Sequence, residues 1–169
     1  MSSLWLLPSA AHTEVLGAAL AQALALERNT APARAPWLLY LSGPLGAGKT
    51  SLAAALLHEL GVVEAVRSPS YALVELYELS QLQVAHIDLY RLHGASELEQ
   101  IGLRDYLQPG TLIVVEWPER ALQALPTPDL SLTLALAQRE GRECRAQAHS
   151  QFGRRWQMAT DSAVRAALS

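Results

Sequence analysis

Trp37-Leu38-Leu39-Tyr40-Leu41-Ser42-Gly43-Pro44-Leu45-Gly46-Ala47-Gly48-Lys49-Thr50 decides the fold. The first five residues form an unbroken apolar and aromatic run, the pattern of a strand buried on both faces of a parallel sheet. The last eight satisfy Gly-x-x-x-x-Gly-Lys-Thr, a phosphate-binding loop that leads from such a strand into a helix. Lys49 to Leu60, rich in Ala and Leu, supplies that helix, and Gly61 is its natural stop. The loop glycines allow successive N–H groups to turn inward as an anion nest, and the helix adds its positive N-terminal end.

A nest of this kind holds the phosphates of ATP together with Mg²⁺. Lys49 is expected to bridge the β- and γ-phosphates, and the Thr50 hydroxyl to ligate the metal. Leu45, Gly46, Ala47, Gly48, Lys49, Thr50 and Ser51 form the expected nucleotide grip. Of the 13 Lys and Arg residues, Lys49 is the only lysine. The chain uses arginine wherever any cation will serve, and places its compact ammonium where phosphate oxygens want one.

Outward from the loop, Leu4–Leu7 reads as an edge strand. A helix capped by His12 or Thr13 follows to about Glu27, and Asn29–Pro36 reads as a loop. Beyond Gly61 come a loop at Arg67–Ser70 and two strands, Tyr71–Leu79 and Gln81–Asp88, joined by a tight turn and hence antiparallel. Ala95–Ile101 reads as a short helix, and Thr111–Val115 as a second uninterrupted buried strand. Leu130–Ala137 and Glu143–His149 pair across Glu140-Gly141, and Thr160–Leu168 is a final helix. The pattern predicts an α/β protein with the P-loop NTPase fold: a mixed, mostly parallel sheet flanked by helices, with antiparallel hairpins. Residues 1–150 are expected to form one P-loop ATPase domain, and residues 151–169 a helical C-terminal extension.

Bulk properties narrow the function. Half the residues are hydrophobic and 17% are charged, so the chain is neither disordered nor membrane-embedded. The apolar stretch Val15–Leu26 is too short to span a bilayer, and Met1–Pro8 lacks a signal-peptide pattern. Cys144 stands alone, which excludes an internal disulfide and a cysteine zinc site. The cytoplasm is the expected compartment. The net charge of −3 argues against a protein that holds nucleic acid by its own surface. Arg139, Arg142, Arg145, Arg154 and Arg155 are a local exception, either a solvated surface or a docking face for an acidic partner or RNA.

Mg²⁺ in such a site wants a carboxylate near Thr50. Glu116 follows the buried run Leu112–Val115 and is favoured; Asp88 ends a strand with polar members and is then free to position or deprotonate the attacking water. Lys49, Asp88 and Glu116 are the expected catalytic set.

Further motifs carry a family resemblance. Gly46-Ala47-Gly48-Lys49-Thr50, Ser68-Pro69-Ser70-Tyr71, His86-x-Asp88-Leu89-Tyr90-Arg91-Leu92, Glu97-Leu98-Glu99-x-x-Gly102-Leu103-x-Asp105-Tyr106 and Glu116-Trp117-Pro118-Glu119 occur in the order seen in the TsaE (YjeE) family. The resemblance covers roughly Thr13 to Leu134. It implies the ATPase component of bacterial tRNA threonylcarbamoyladenosine (t6A) biosynthesis at adenosine 37, hydrolysing ATP slowly when associated with TsaB and TsaD. The tRNA is then reached through those partners, and no membrane is involved. The resemblance also implies that Thr50 and Glu116 ligate Mg²⁺, that Asp88 is a catalytic or switch carboxylate, and that Thr13 contacts nucleotide. Ser68–Tyr71 resembles the segment that responds to the γ-phosphate, and Trp117 lies against nucleotide or partner, or packs in the core. Ser70 departs from the usual threonine, keeping the hydroxyl without the methyl. The alternative is a small-molecule kinase using the same grip, for which Gly61–Ser80 offers a single arginine, Arg67, where such enzymes carry an arginine-bearing lid.

Overall fold

The computed structural model describes residues 2–30, 36–93, 95–137 and 140–168. Strands buried on both faces need a layer of helices on each side, and a seven-stranded sheet forms the middle layer. Its strands are β1 (Ser2–Leu7), β2 (Trp37–Ser42), β3 (Val74–Leu79), β4 (Leu82–Asp88), β5 (Thr111–Glu116), β6 (Leu130–Leu136) and β7 (Arg142–Ala148). They lie in the order β1-β7-β6-β2-β5-β4-β3. The central strands β6, β2, β5 and β4 run parallel; β1, β7 and β3 add antiparallel margins. The mixed, mostly parallel sheet expected from sequence is thus present.

The uninterrupted apolar runs of β2 and β5 serve both faces of this sheet. Leu39, Leu41, Leu112 and Val114 join the core under α1 (Ala10–Thr30), α2 (Lys49–Glu59) and α5 (Gln151–Ala167). Leu38, Tyr40, Ile113 and Val115 point the other way, toward α3 (Ala95–Gln100) and α4 (Leu103–Tyr106) through Leu98 and Leu103.

Several boundaries depart from expectation. α1 begins at Ala10, because Ser9 rather than His12 or Thr13 supplies the first turn: its carbonyl accepts from His12 N at 3.2 Å and its hydroxyl pairs with His12 Nδ1 at 2.8 Å. The helix also runs on through Asn29 to Thr30, and the rest of the expected loop, 31–35, lies outside the described residues. β3 starts at Val74 rather than Tyr71. Leu73 N donates to Pro69 O at 2.6 Å, a turn with Leu73 at φ 66° that consumes the residues before the strand. Arg139 lies outside the described residues.

The last helix starts well before Thr160, within the stretch 151–169 expected to be helical. α5 starts at Gln151, capped by the Ser150 hydroxyl, which accepts from Gly153 N at 2.9 Å. Phe152, Trp156, Thr160 and Val164 recur every fourth residue and are all buried, so they form one helix face. Gly153 makes the approach possible, since a Cβ there would stand 1.9 Å from Asp129 O. Trp156 is fully buried and its indole N–H donates to Leu20 O at 2.9 Å. Arg155, without an assigned partner at the sequence level, donates to Glu27 at 2.8 Å.

Trp156→Ala is expected to lower the unfolding free energy by about 3–5 kcal/mol, the usual cost of emptying a buried tryptophan site. Urea denaturation checks it, and a loss below about 1 kcal/mol would mean that α5 is not anchored by this ring.

Candidate functional site

In a parallel sheet the residues just past the strand C-termini collect along one edge. Here β2 delivers the glycine loop, β5 ends on Glu116 and β4 ends on Asp88. The register places Leu41 beside Glu116, and Glu116 beside Asp88. Three sequence-distant segments therefore converge on a cleft of about 360 Å³, lined among others by Gly46, Lys49, Thr50, Ser68, Asp88, Glu116, Trp117 and Arg142.

The loop enters α2 through Gly48, which sits in the left-handed region at φ 98°. Gly43 needs its missing side chain for another reason: at φ 136° a Cβ would lie 2.2 Å from Leu134 O on β6. The Leu45 side chain is exposed at the loop tip, whereas Ala47 is buried beneath it.

Lys49 is only 4% exposed, and its ammonium donates to Gly43 O at 2.7 Å and Pro44 O at 3.0 Å. The Trp117 ring covers it, with Nζ 3.8 Å from the ring centroid, a cation–π contact. Burial lowers the Lys49 pKa from its ordinary value, opposed by the negative charges of Glu116, Glu119 and Asp88. Lys49 thus rests on its own loop's carbonyls, a hold that phosphate oxygens can replace.

Trp117 adopts φ 58° and ψ 47°, unusual for a bulky residue, so the chain turns sharply after Glu116 and lays the indole across the cleft. There it packs on Tyr90, with ring centroids 5.0 Å apart. Trp117 is half-buried: it lines the cleft and also packs against the core cluster around Ile87 and Ile113.

Thr50 Oγ1 donates to Glu116 Oε2 at 2.9 Å, while His86 Nε2 stands 2.9 Å from Glu116 Oε1. Asp88 accepts from Ser68 Oγ on one oxygen and from Tyr90 N, at 2.9 Å, on the other. The segment Ser68–Tyr71 is therefore tied to Asp88 and borders the cleft, with Tyr71 receiving a hydrogen bond from Arg91 at 3.2 Å. Among the described residues no three His, Cys, Asp or Glu side chains form a metal cage. Thr50 and Glu116 are nevertheless a fitting pair of hard oxygen donors for Mg²⁺, which takes its other oxygens from phosphate and water.

A second recess adjoins the first, lined by Ala10, Thr13, Glu14, Ser51, Ala54, Ala55, His58 and Arg142. Thr13 is 2% exposed, and its Oγ1 has no hydrogen-bond partner. Arg142 Nε is likewise buried and unpartnered, and lies 2.9 Å from where a Gly48 Cβ would stand. Unsatisfied polar atoms beside a glycine loop fit a site built for a polar ligand. Sequence reading grouped Arg142 with a basic surface; only the β1–β7 and β6–β7 pairings carry it to the loop. Every expected site residue from Thr13 to Glu116 borders one of these recesses or the loop between them.

A buried parallel strand, a glycine loop at a helix start and a carboxylate on the neighbouring strand define the P-loop NTPase fold. The family model described as "Threonylcarbamoyl adenosine biosynthesis protein TsaE" matches residues 7–144, and the chain belongs to that family. The tRNA threonylcarbamoyladenosine biosynthesis protein TsaE of Haemophilus influenzae is 40% identical over 97 residues, covering 57% of this chain and 61% of that protein. The Synechocystis protein of the same name is 37% identical over 125 residues, covering 72% of this chain and 73% of its own length. The crystal structure of Bacillus subtilis YdiB superposes with a TM-score of 0.73 at 24% identity, covering 99% of this chain and 97% of that one, which shows the shared fold. Among the described residues no helix is long and apolar enough to cross a membrane.

Thr13→Val removes the orphaned hydroxyl while keeping the side chain's shape. The free protein is expected to gain stability, by about 1 kcal/mol, the lower end of the cost of an unsatisfied buried group. Thermal melting checks this, and a clear loss of stability would reveal a partner for Thr13 Oγ1.

Proposed function

We propose that this chain is a Mg²⁺-dependent ATPase of the tRNA t6A pathway, acting at adenosine 37 through a cytoplasmic complex with homologues of TsaB and TsaD. One observation carries the chemistry. Leu45, Gly46, Gly48 and Lys49 of the loop, the Thr50–Glu116 pair and Asp88 face one cleft from the ends of three different strands. Family membership supports the pathway.

In this reading the loop N–H groups and Lys49 bind the β- and γ-phosphates, with Lys49 exchanging two carbonyls for phosphate oxygens. Thr50 and Glu116 hold Mg²⁺, which when bound neutralises charge on the phosphates. Thr13, Ser51 and Arg142 hold the remainder of the nucleotide. Asp88 orients a water whose oxygen attacks the γ-phosphorus. The bond to the bridging oxygen breaks, the electron pair leaves on ADP, and the water's proton passes to Asp88. For that, Asp88 must release the Ser68 hydroxyl, so the Ser68–Tyr71 segment moves with the state of the γ-phosphate, as switch loops do. Trp117 must yield the space above Lys49 at the same time.

The protein alone is expected to turn over ATP slowly and the TsaB–TsaD pair to accelerate it. Lys49→Ala should weaken nucleotide binding about 10–100-fold, the worth of a charge-assisted hydrogen bond. Unchanged affinity in that variant, or brisk phosphorylation of a metabolite by the protein alone, would overturn the reading. The two carboxylates separate by titration calorimetry and turnover. Glu116→Gln should remove most of the Mg²⁺ enhancement of ATP binding. Asp88→Asn should keep it and lower turnover by about 10²-fold or more, the usual contribution of a general base. The opposite order exchanges the two roles.

A further inference from the structure

His86 is fully buried on β4, in a strand whose neighbours Ala85 and Ile87 serve the opposite core. Period-two alternation sends His86 and Asp88 to the face of the sheet that α2 covers, the face on which Glu116 meets Thr50. Parallel pairing sets His86 beside Val114 and so brings its ring to Glu116, two residues further along β5. Nε2 stands 2.9 Å from Glu116 Oε1, and Nδ1 is buried with no hydrogen-bond partner. A hydrogen on Nδ1 would be buried without an acceptor, whereas one on Nε2 has the carboxylate to receive it. The ring therefore donates through Nε2.

Glu116 is held at both ends by this arrangement. One oxygen faces the His86 ring, and the other faces the Thr50 hydroxyl at 2.9 Å. A carboxylate with a free torsion would spread its oxygens over several orientations. Fixing one oxygen on a fully buried ring, carried by a strand paired on both sides, fixes the direction of the other. The loop and α2 then need to supply only Thr50 to complete the pair.

We infer that His86 is a positioning residue: it holds the Glu116 carboxylate so that Oε2 is presented beside Thr50 for a divalent cation. This rests on the reading of Thr50 and Glu116 as the Mg²⁺ pair. Ligating carboxylates oriented by an outer hydrogen bond typically lose about 10–100-fold in metal affinity when that partner is removed.

The measurement is nucleotide affinity by calorimetry in the full-length protein, with Mg²⁺ and with EDTA, the ratio of the two being the Mg²⁺ enhancement. His86→Leu is expected to cut the enhancement about 10–100-fold with affinity in EDTA little changed. His86→Gln, whose amide N–H can take the place of Nε2–H, is expected to retain most of it. Retention in both variants overturns the inference, and so does an equal loss with and without Mg²⁺, which marks His86 as only structural. Long-range ¹H–¹⁵N correlation spectra of the wild-type protein without ligands test the hydrogen bond without any substitution. A proton on Nε2 is expected, and one on Nδ1 alone overturns the inference even if His86→Leu fails to fold. Absence of any Mg²⁺ enhancement in the wild type sinks the metal reading itself and this inference with it, whereas a failure confined to the variants sinks this inference alone.

Discussion

The hydrogen bonds of one carboxyl group, Glu116, join the parts of this molecule that matter most. A buried carboxyl group is costly unless its oxygens find partners. Glu116 is 1% exposed and finds them on two other elements: His86 on β4 and Thr50 on α2. Those bonds exist only if β4, β5 and the loop after β2 stand in one register. The strand pairings meet that condition with Leu41, Glu116 and Asp88 side by side. The same register that satisfies a buried polar group assembles the cleft, so fold and site share one constraint.

The sheet separates two tasks by face. On one side α1, α2 and α5 bury Leu16, Leu20, Leu56 and Trp156 against it, a rigid backing for the helix that starts at Lys49. On the other, the short α3 and α4 cover a smaller cluster around Ile87, Leu89 and Ile113. The cleft lies where the parallel strands end, and its lip is made of Trp117, which also packs on the second core cluster, with Tyr90, Arg91 and Tyr71.

Signals confined to one segment were legible in the sequence. The apolar run of β2, the glycine loop, the Ala- and Leu-rich α2 and the buried run of β5 each carry their own pattern, and the carboxylates at strand ends followed from it. Signals that need two segments were not. Arg142 reads as one arginine among several until β7 is paired with β1 and β6. His86 reads as a polar residue weakening a strand until Glu116 is placed beside it. A helical stretch beyond residue 150 was legible too, but its anchoring was not, because that needs Leu20 O to receive the Trp156 indole and Asp129 to face Gly153. The residues Tyr71–Leu73 looked like strand by composition, and a turn closed by Leu73 and Pro69 overrode that preference.

The pairing of β1 with β7 has a consequence for how the protein folds. Leu7 lies opposite Arg142, so β1 must close a loop of more than a hundred residues before it can join the sheet. Contacts this far apart in sequence are slow to form, because loop closure must precede any gain from them. The central strands and the glycine loop can organise earlier. Arg142 on β7 and Thr13 on α1 line one recess, so that recess also depends on closing this long separation.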